Sequence, residues 1–368
     1  MARVRRVIDE GSAYFERQVA KDDGIELYRD HVRFTSDREL DAGGSTIAFR
    51  HAVVASGAKP SLPAIPGIES VPVVTSDDLL QATELPEHLV CVGAGAVGLE
   101  FAQAYRRLGA QVTVVQRGPR IASGEDAELS ELLQVYLEEE GVRIQTSNAC
   151  NHLEPDGDGT RVNCVDGQSI TADRVLVATG RDADVDRLGL DQAGVETGPA
   201  GVVVDDEFRT TQPHIYAIGD ATGGLMFTHV ATYEAPLAVA NMLDGVHNHP
   251  DYRVIPRAIF TDPQLASVGL SEQQARDAGH EVEIRRHDVR RVGKSRAIGD
   301  PRGRVKFVLD TNTGEILGTH ILAPHGADLL PGPMVAMNAP ERTLAPLLAT
   351  IHAHPTISET VKIAARQH

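Results

Sequence analysis

The chain has few cysteines, and no two of them lie close together. Its 368 residues include only Cys91, Cys150 and Cys164, so the sequence contains neither a C-x-x-C nor a C-x-x-x-x-C motif. A redox centre built from two cysteines that are close in sequence is therefore excluded within these residues. An odd number of widely spaced cysteines suits a reducing compartment, and we expect a cytoplasmic location. A pairing of Cys150 with Cys164 through folding is the minor alternative.

The sequence also lacks long apolar runs and an excess of positive charge. No stretch reaches the roughly 18 consecutive apolar residues of a transmembrane helix, and the N-terminal segment lacks the apolar region of a signal peptide. Lys and Arg number 35 against 52 Asp and Glu, which gives a net charge of −17. Such a charge argues against a nucleic acid or an anionic membrane as the main partner.

The composition that remains is typical of a globular α/β protein with more than one domain. Hydrophobic residues make up 42% of the chain, with 34 glycines and 20 prolines, and 368 residues are too many for one compact core. Val4 and Ile8 are one helical turn apart among charged residues, which predicts a surface helix. Residues 174–181 and 213–223 predict buried strands that end in small residues, and a pattern of alternating strands begins beyond residue 257.

A glycine-rich loop between a strand and a helix is the most informative motif. Residues 88–117 contain the apolar segment LVCV (89–92), then Gly93, Gly95 and Gly98 in the pattern G-x-G-x-x-G, and later a second largely apolar segment, QVTVV (111–115). In a βαβ unit the first glycine permits a tight turn, the second admits a pyrophosphate, and the third lets helix and strand pack closely. The helix N-terminus adds N–H donors and the positive end of a dipole. This context predicts a dinucleotide site, and an α/β unit without a ligand is the alternative.

The end of the second strand indicates which dinucleotide is preferred. An acidic residue there would bind a ribose 2′-hydroxyl, but this chain has Gln116, followed by Arg117 and, nearby, Arg120. A neutral amide followed by cations suits a 2′-phosphate, so we expect NADP, with NAD still possible. The alternative is that both arginines are solvated surface charges.

The C-terminal segment HAHPTISE brings a histidine and a glutamate close to a proline. Proline is common at the first position of a helix, so we expect His354 at the entry to a helix that begins at Pro355, with Glu359 about one turn further on. A carboxylate can hold one imidazole nitrogen and leave the other available for a proton. A histidine that only caps the helix is the alternative, and His352 is expected to be structural.

Together these motifs resemble those of the class I pyridine nucleotide–disulfide oxidoreductases, the family of dihydrolipoamide dehydrogenase, glutathione reductase and mercuric reductase. The resemblance covers essentially the whole chain and rests on six segments: VVASGAKP (53–60), VCVGAGAVGLE (90–100), VLVATGR (175–181), IYAIGD (215–220), FTDPQLASVGLSE (260–272) and HAHPTISE (352–359). It implies an α/β fold with Rossmann-like FAD- and NAD(P)-binding domains and an α+β C-terminal dimerisation domain. The expected boundaries are 1–86 and 179–247 for the FAD-binding domain, 87–178 for the NAD(P)-binding domain and 248–368 for the dimerisation domain.

The resemblance also implies roles for individual residues. The implied cofactor-binding residues are Gly93, Gly95, Gly98 and Arg117 for the nicotinamide nucleotide, and Glu100, Gly180, Gly219 and Asp220 for the flavin side. Glu100 matches a glutamate that pairs with a lysine beside the flavin, and Asp220 matches an aspartate that binds the ribityl chain. His354 with Glu359 matches the acid–base pair for thiol–disulfide exchange. That pair serves a disulfide of the other subunit, which implies a homodimer.

The implied function is an FAD-dependent oxidoreductase of the dihydrolipoamide dehydrogenase type. It would pass hydride from NADPH through the flavin to a small disulfide or a protein-bound lipoyl group. A mercuric reductase-like enzyme ranks below it, because the chain ends KIAARQH without a cysteine pair and has His354 where those relatives have tyrosine. A non-catalytic module that binds a nucleotide and dimerises is a further alternative.

Three features of the resembling family are missing from the sequence. These are an N-terminal βαβ unit with its own G-x-G-x-x-G, a C-x-x-x-x-C redox pair, and the lysine that would pair with Glu100. We therefore expect an N-terminally truncated chain with an incomplete FAD-binding domain, whose strands lack parallel partners. Such a chain is expected to bind FAD poorly and to lack disulfide reductase activity.

Overall fold

A computed structural model describes residues 2–367 of the chain. None of the described helices is both long and apolar enough to cross a membrane. The predicted surface helix is present as the first helix, and almost all of its residues are exposed. Within residues 2–367 the α-helices are α1 (Ala2–Val19), α2 (Ser76–Gln81), α3 (Ala96–Leu108), α4 (Ala127–Glu139), α5 (Thr228–Asp244), α6 (Glu272–Asp277), α7 (Gly293–Ile298), α8 (Pro331–Asn338), α9 (Ala345–Ala349) and α10 (Glu359–Arg366).

The strands are short in the first part of the chain and longer near its end. They are β1 (Val32–Phe34), β2 (Glu39–Ala42), β3 (Ser45–Ala48), β4 (Ala52–Val54), β5 (Ala58–Pro60), β6 (Val73–Val74), β7 (His88–Val92), β8 (Gln111–Val115), β9 (Arg143–Gln145), β10 (Cys150–Asp156), β11 (Gly159–Cys164), β12 (Ser169–Ala172), β13 (Arg174–Val177), β14 (Arg181–Ala183), β15 (Ile215–Ala217), β16 (Pro256–Ile259), β17 (Gln264–Gly269), β18 (Val282–Asp288), β19 (Arg304–Asp310) and β20 (Ile316–Ala323).

The chain divides into two compact units. The first unit consists of the segment that ends at Ser61, together with Leu80–Ala82 and Gly180–Asp251. It contains the antiparallel sheet β1-β2-β3, the pairs β4–β15 and β5–β14, and helices α1 and α5. Phe34, Val54 and Ile215 are among the buried residues of its main apolar core.

Two strand pairs in the first unit correct the expectation of unpaired strands. β4 and β15 run parallel, with Ala52 opposite Ile215 and Val54 opposite Ala217. β5 and β14 pair antiparallel. The prediction that these strands lack parallel partners was wrong for β4 and β15, because the two segments pair with each other. Each of these sheets has two strands within the described residues.

The second unit consists of Leu62–Leu79, Thr83–Thr179 and the chain from Tyr252 onward. A parallel sheet with the order β6-β13-β7-β8-β9 forms its first part. The predicted βαβ unit is confirmed as β7–α3–β8, and Gly109 ends α3 in the left-handed conformation, as a C-terminal glycine does. Strand β7 is buried on both faces, which is why its sequence is continuously apolar.

Two antiparallel sheets complete the second unit. The β10-β11-β12 sheet corresponds to the glycine-rich polar segment that precedes β13. The final sheet has the order β16-β17-β20-β19-β18, and α10 packs against β18 and β19. Phe307 and Ile321 are fully buried in the core of this last part, together with Val361 of α10. Apolar packing thus anchors α10, the last helix. The anchored helix holds in place the segment that carries His354 and Glu359.

Candidate functional site

The three glycines of the G-x-G-x-x-G loop occupy different environments. Gly93 has φ 109°, and a Cβ there would lie 2.3 Å from the carbonyl oxygen of Ala178. A Cβ at Gly98 would lie 2.0 Å from the carbonyl oxygen of Gly93. A Cβ at Gly95 would meet no atom within 4 Å. Gly93 and Gly98 are therefore required by the packing of the protein itself, whereas Gly95 faces open space.

Helix α3 begins at this open space without a side-chain cap. Its N-cap residue is Gly95, which has no side chain to accept hydrogen bonds from the first turn. By contrast, Asp126 caps α4 and Ser271 forms a capping box at α6. The first N–H groups of a helix have no partner inside it, so those of α3 are available to an external acceptor. Together with the positive end of the dipole, they form a cradle that fits a pyrophosphate.

The side chains after β8 differ in whether they are available to bind a 2′-phosphate or already hydrogen-bonded within the protein. The side-chain carbonyl of Gln116 accepts a hydrogen bond of 3.1 Å from the N–H of Ala94, which ties it to the glycine loop. Arg117 is exposed and makes no side-chain hydrogen bond within residues 2–367. Nη2 of Arg120 donates to the carbonyl oxygen of Ser123 at 3.2 Å. Arg117 is thus the available cation, while Arg120 is held by its own loop.

Glu100 lies on α3 and points toward the third segment of the second unit. One of its carboxylate oxygens accepts a hydrogen bond of 2.8 Å from the backbone N–H of Phe260. Burial raises the pKa of Glu100, and this hydrogen bond opposes the rise. Within the described residues, Glu100 forms no ion pair with a lysine or arginine. The lysine partner expected from the resemblance is therefore not supplied by residues 2–367.

Three predicted flavin-side residues lie in the first unit. The carbonyl oxygen of Gly180 accepts from the N–H of Ser61 at 3.0 Å. Gly219 has φ 63°, and its N–H donates to the buried carboxylate of Glu234 at 2.6 Å. Asp220 follows in a 3₁₀ turn, and its half-buried carboxylate makes no hydrogen bond within residues 2–367. Glu234 of α5 thus holds the backbone turn at Gly219, a role that was not predicted from the sequence.

His354 and Glu359 are in direct contact. Nδ1 of His354 lies 3.0 Å from Oε1 of Glu359, and the histidine side chain is 75% exposed. Nε2 therefore remains open to solvent or to a ligand. The predicted helix start at Pro355 was wrong, since α10 begins at Glu359. The carboxylate of Glu359 instead accepts from the N–H of Thr356 at 3.0 Å, so a bend occupies the positions that were expected to be helical.

We expect the pKa of the Glu359 carboxyl group to depend on its contact with His354. The hydrogen bond from His354, followed by that from Thr356, lowers the pKa of Glu359 below its ordinary value. The contribution of Glu359 to stability is thus present above its unfolded pKa and is lost as the pH falls through the folded pKa. In His354→Ala the pKa of Glu359 should rise toward its ordinary value, as measured by carboxyl carbon NMR. His325→Ala, a change at an exposed histidine elsewhere, should leave the pKa of Glu359 at its wild-type value. Equal pKa values of Glu359 in the wild type and both variants would contradict the contact.

A buried lysine links two parts of the second unit and was not predicted. The side chain of Lys306 on β19 is 3% exposed, and its Nζ lies 3.0 Å from Asp126, 3.2 Å from Glu128 and 2.9 Å from Glu272. Burial alone would lower the pKa of Lys306, but these carboxylates outweigh it and the pKa is raised. The single lysine inside the apolar segment RVKFVLD was the available signal. This lysine cluster fixes the start of α4 against the C-terminal sheet.

Two family models match the chain. The model of the pyridine nucleotide-disulphide oxidoreductases matches residues 7–235, and that of the family's dimerisation domain matches residues 255–365. Among similar proteins, a dihydrolipoyl dehydrogenase of Rhizobium etli is 38% identical over 330 residues, which are 88% of this chain and 68% of that protein. A mercuric reductase of Streptomyces lividans is 37% identical over 330 residues, which are 89% of this chain and 69% of that protein.

Other relatives are longer, and solved structures agree with the fold. A mercuric reductase of Bacillus cereus is 34% identical over 347 residues. The match covers 93% of this chain but only 55% of that protein. The HOCl-induced flavoprotein disulfide reductase RclA of Escherichia coli superposes with a TM-score of 0.92 at 26% identity, covering 98% of this chain and 83% of that one. The chain therefore belongs to the pyridine nucleotide-disulphide oxidoreductases, a family of flavoprotein oxidoreductases that use FAD and NAD(P)H.

Proposed function

We propose that the chain binds NADPH at the glycine loop and contributes the acid–base pair of an FAD-dependent NAD(P)H:disulfide oxidoreductase of the dihydrolipoyl dehydrogenase type. Its residues contain no closely spaced cysteine pair that could serve as the redox disulfide of that enzyme. The observation that carries this proposal is the uncapped N-terminus of α3 beside the open position at Gly95. An α/β unit without a ligand would leave those N–H groups to water, and a side-chain cap such as Asp126 of α4 would then be favourable. The family match to residues 7–235 supports the same reading.

The residues of the chain are proposed to hold the cofactors as follows. When bound, NADPH and FAD would together supply the hydride and two-electron chemistry of the reaction. The N–H groups of the first turn of α3 would donate to the pyrophosphate, and Arg117 would contact the 2′-phosphate. Asp220 would accept hydrogen bonds from sugar hydroxyls of the flavin cofactor, since its carboxylate has no hydrogen-bond partner within residues 2–367 and is therefore available.

His354 is proposed to hold and release the proton that a thiol exchanges, and Glu359 is proposed to orient it. The 3.0 Å contact fixes Nδ1 and leaves Nε2 exposed, which is the arrangement an acid–base imidazole needs. Cys91 and Cys150 do not suit the role of the catalytic thiol that His354 would serve. Burial raises the pKa of Cys91 to about 12 and that of Cys150 to about 11, so both are protonated near neutral pH.

The match of residues 255–365 to the dimerisation domain supports a homodimer, and we propose that His354 acts across its interface. The proposed substrate is a small disulfide or a protein-bound lipoyl group. The second candidate is a mercuric reductase-like activity, since the relative of that name from Streptomyces lividans is 37% identical. The exposed imidazole of His354 favours the first candidate, thiol–disulfide exchange, over the mercuric reductase-like activity.

The preference for NADP is tested by titrating the chain with NADPH and with NADH. Arg117→Ala should weaken NADPH binding about tenfold, or about 1.4 kcal/mol, because one charge-assisted contact to the 2′-phosphate is lost. NADH binding should stay unchanged, since NADH has no 2′-phosphate. Arg143→Ala, which removes an exposed arginine of β9, serves as the matched control. An equal loss for both nucleotides would remove Arg117 from the 2′-phosphate site.

A further inference from the structure

Two of the three cysteines face each other across a strand pair. In the register of β10 with β11, Cys150 lies directly opposite Cys164. The N–H of Val165 donates to the carbonyl oxygen of Ala149 at 3.0 Å, so the ladder bond flanks the two cysteines and does not join them. Cys150 and Cys164 are therefore a non-hydrogen-bonded pair, in which the side chains approach most closely and the Cα atoms lie about 4.5 Å apart.

Both thiols lie on the same side of the sheet. Cys164 is 3% exposed in the apolar core that also contains Leu153 and Val162, and the partly buried Cys150 packs against that core. The register shifts after Cys150, which makes Asn151 a bulge and keeps Cys150 on the core face. Burial, followed by the neighbouring Cys164, raises the pKa of Cys150. The influence of one thiol on the other agrees with their direct opposition in the register.

We propose that Cys150 and Cys164 form a reversible intramolecular disulfide by exchange with a small-molecule disulfide. The half-buried sulfur of Cys150 attacks one sulfur of the small disulfide, loses its proton to solvent and releases the first small thiol. The sulfur of Cys164 then attacks the mixed disulfide at Cys150 and releases the second small thiol. Two protein thiols are thereby oxidised to one disulfide, and one small disulfide is reduced to two thiols.

The geometry permits this bond without rearrangement of the strands. Disulfides require Cα atoms about 4.4–6.8 Å apart, and a non-hydrogen-bonded antiparallel pair falls inside that range. Because both thiols are protonated near neutral pH, the exchange is expected to be slow and to accelerate as the pH rises. Cys91 offers an internal reference, since it is fully buried on β7 and has no cysteine opposite it in the sheet register.

The disulfide would act as a staple on the β10–β11 hairpin. The Cys150–Cys164 disulfide lies outside the glycine loop and outside the His354–Glu359 pair. The proposal therefore does not depend on the proposed enzymatic function. A covalent link across this hairpin reduces the freedom of the unfolded chain. The oxidised protein should therefore unfold at a higher urea concentration than the reduced protein.

The test uses the whole folded chain and oxidised glutathione at about pH 8. Remaining thiols are alkylated, and trypsin then cleaves at Arg161, which separates Cys150 in peptide 144–161 from Cys164 in peptide 162–174. The expected result is one linked species of the two peptides, lighter by two hydrogen atoms than their sum and split by dithiothreitol. Cys91→Ser should retain this species, and Cys150→Ser should lose it.

Because the linked peptides are sought in the wild-type chain, the test does not depend on how the variants fold. Cys150 left as a mixed disulfide with glutathione, with Cys164 alkylated, would overturn the proposal. So would a link between two chains, seen as a dimer on a non-reducing gel that disappears in Cys164→Ser. Both thiols alkylated after prolonged exposure would contradict it equally.

Discussion

Gly95→Val is expected to weaken NADPH binding by about 30-fold or more, which is about 2 kcal/mol, without loss of stability. A side chain at this position enters the open space at the start of α3 and blocks the approach of the pyrophosphate to the N–H groups. The backbone of Gly95 is extended, with φ −81° and ψ −172°, so valine fits it without strain. Binding is measured by isothermal titration calorimetry and stability by urea denaturation.

Two other glycines provide the controls for this experiment. Gly293 also stands at a helix start in open space, so Gly293→Val should leave both binding and stability near their wild-type values. Gly98→Ala should destabilise the fold, because its Cβ would lie 2.0 Å from the carbonyl oxygen of Gly93. If Gly95→Val binds NADPH as tightly as the wild type, the glycine loop is not the nucleotide site.

Lys306→Met is expected to lower the free energy of unfolding by about 3–5 kcal/mol. Methionine matches the volume of lysine but leaves the carboxylate of Asp126, which is 1% exposed, without a cation. Adding Asp126→Asn should recover at least half of the loss, because the amide removes the uncompensated charge and can still cap α4. Glu128 and Glu272 keep other arginine partners.

Arg276→Met is the matched control for the lysine cluster. It breaks only the exposed contact to Glu272, where the two side chains are 50% and 33% exposed, and should cost less than about 0.5 kcal/mol. A loss as small as this in Lys306→Met would show that the cluster contributes little to stability.

The lysine cluster also predicts how stability depends on pH. Burial acts to raise the pKa values of Glu128 and Glu272, but Lys306 and the neighbouring arginines outweigh it and hold both below the ordinary value of 4.5. Their contribution is therefore complete above the unfolded pKa and is lost as the pH falls through the lower folded values. Between about pH 5 and pH 3 the wild type should lose more stability than Lys306→Met.

The sequence predicted the parts of the fold that depend on local patterns. The β7–α3–β8 unit follows from an apolar strand, three glycines at fixed spacing and a helix that ends at Gly109, and all of these signals lie within about 30 residues. The helix before β1 and the strands of the last sheet follow from periodicity. The start of α10 was misjudged, because the bond between Glu359 and the N–H of Thr356 competes with a helix start at Pro355.

Contacts between distant segments were beyond the reach of such patterns. Lys306 and Asp126 are 180 positions apart, and no periodicity connects them. The opposition of Cys150 and Cys164 depends on a hairpin register and on a bulge at Asn151, both of which are set by packing. The pairing of β4 with β15 likewise depends on which segments meet in the folded chain. For the candidate site, the sequence indicated the residues, while the structure adds the open space at Gly95 and the freedom of Arg117.

A crystal structure of the chain grown with NADP⁺ tests the central claim most directly. We expect the pyrophosphate against the first N–H groups of α3 beside Gly95, and the 2′-phosphate beside Arg117. A nucleotide bound elsewhere, with the start of α3 occupied only by water, would contradict it.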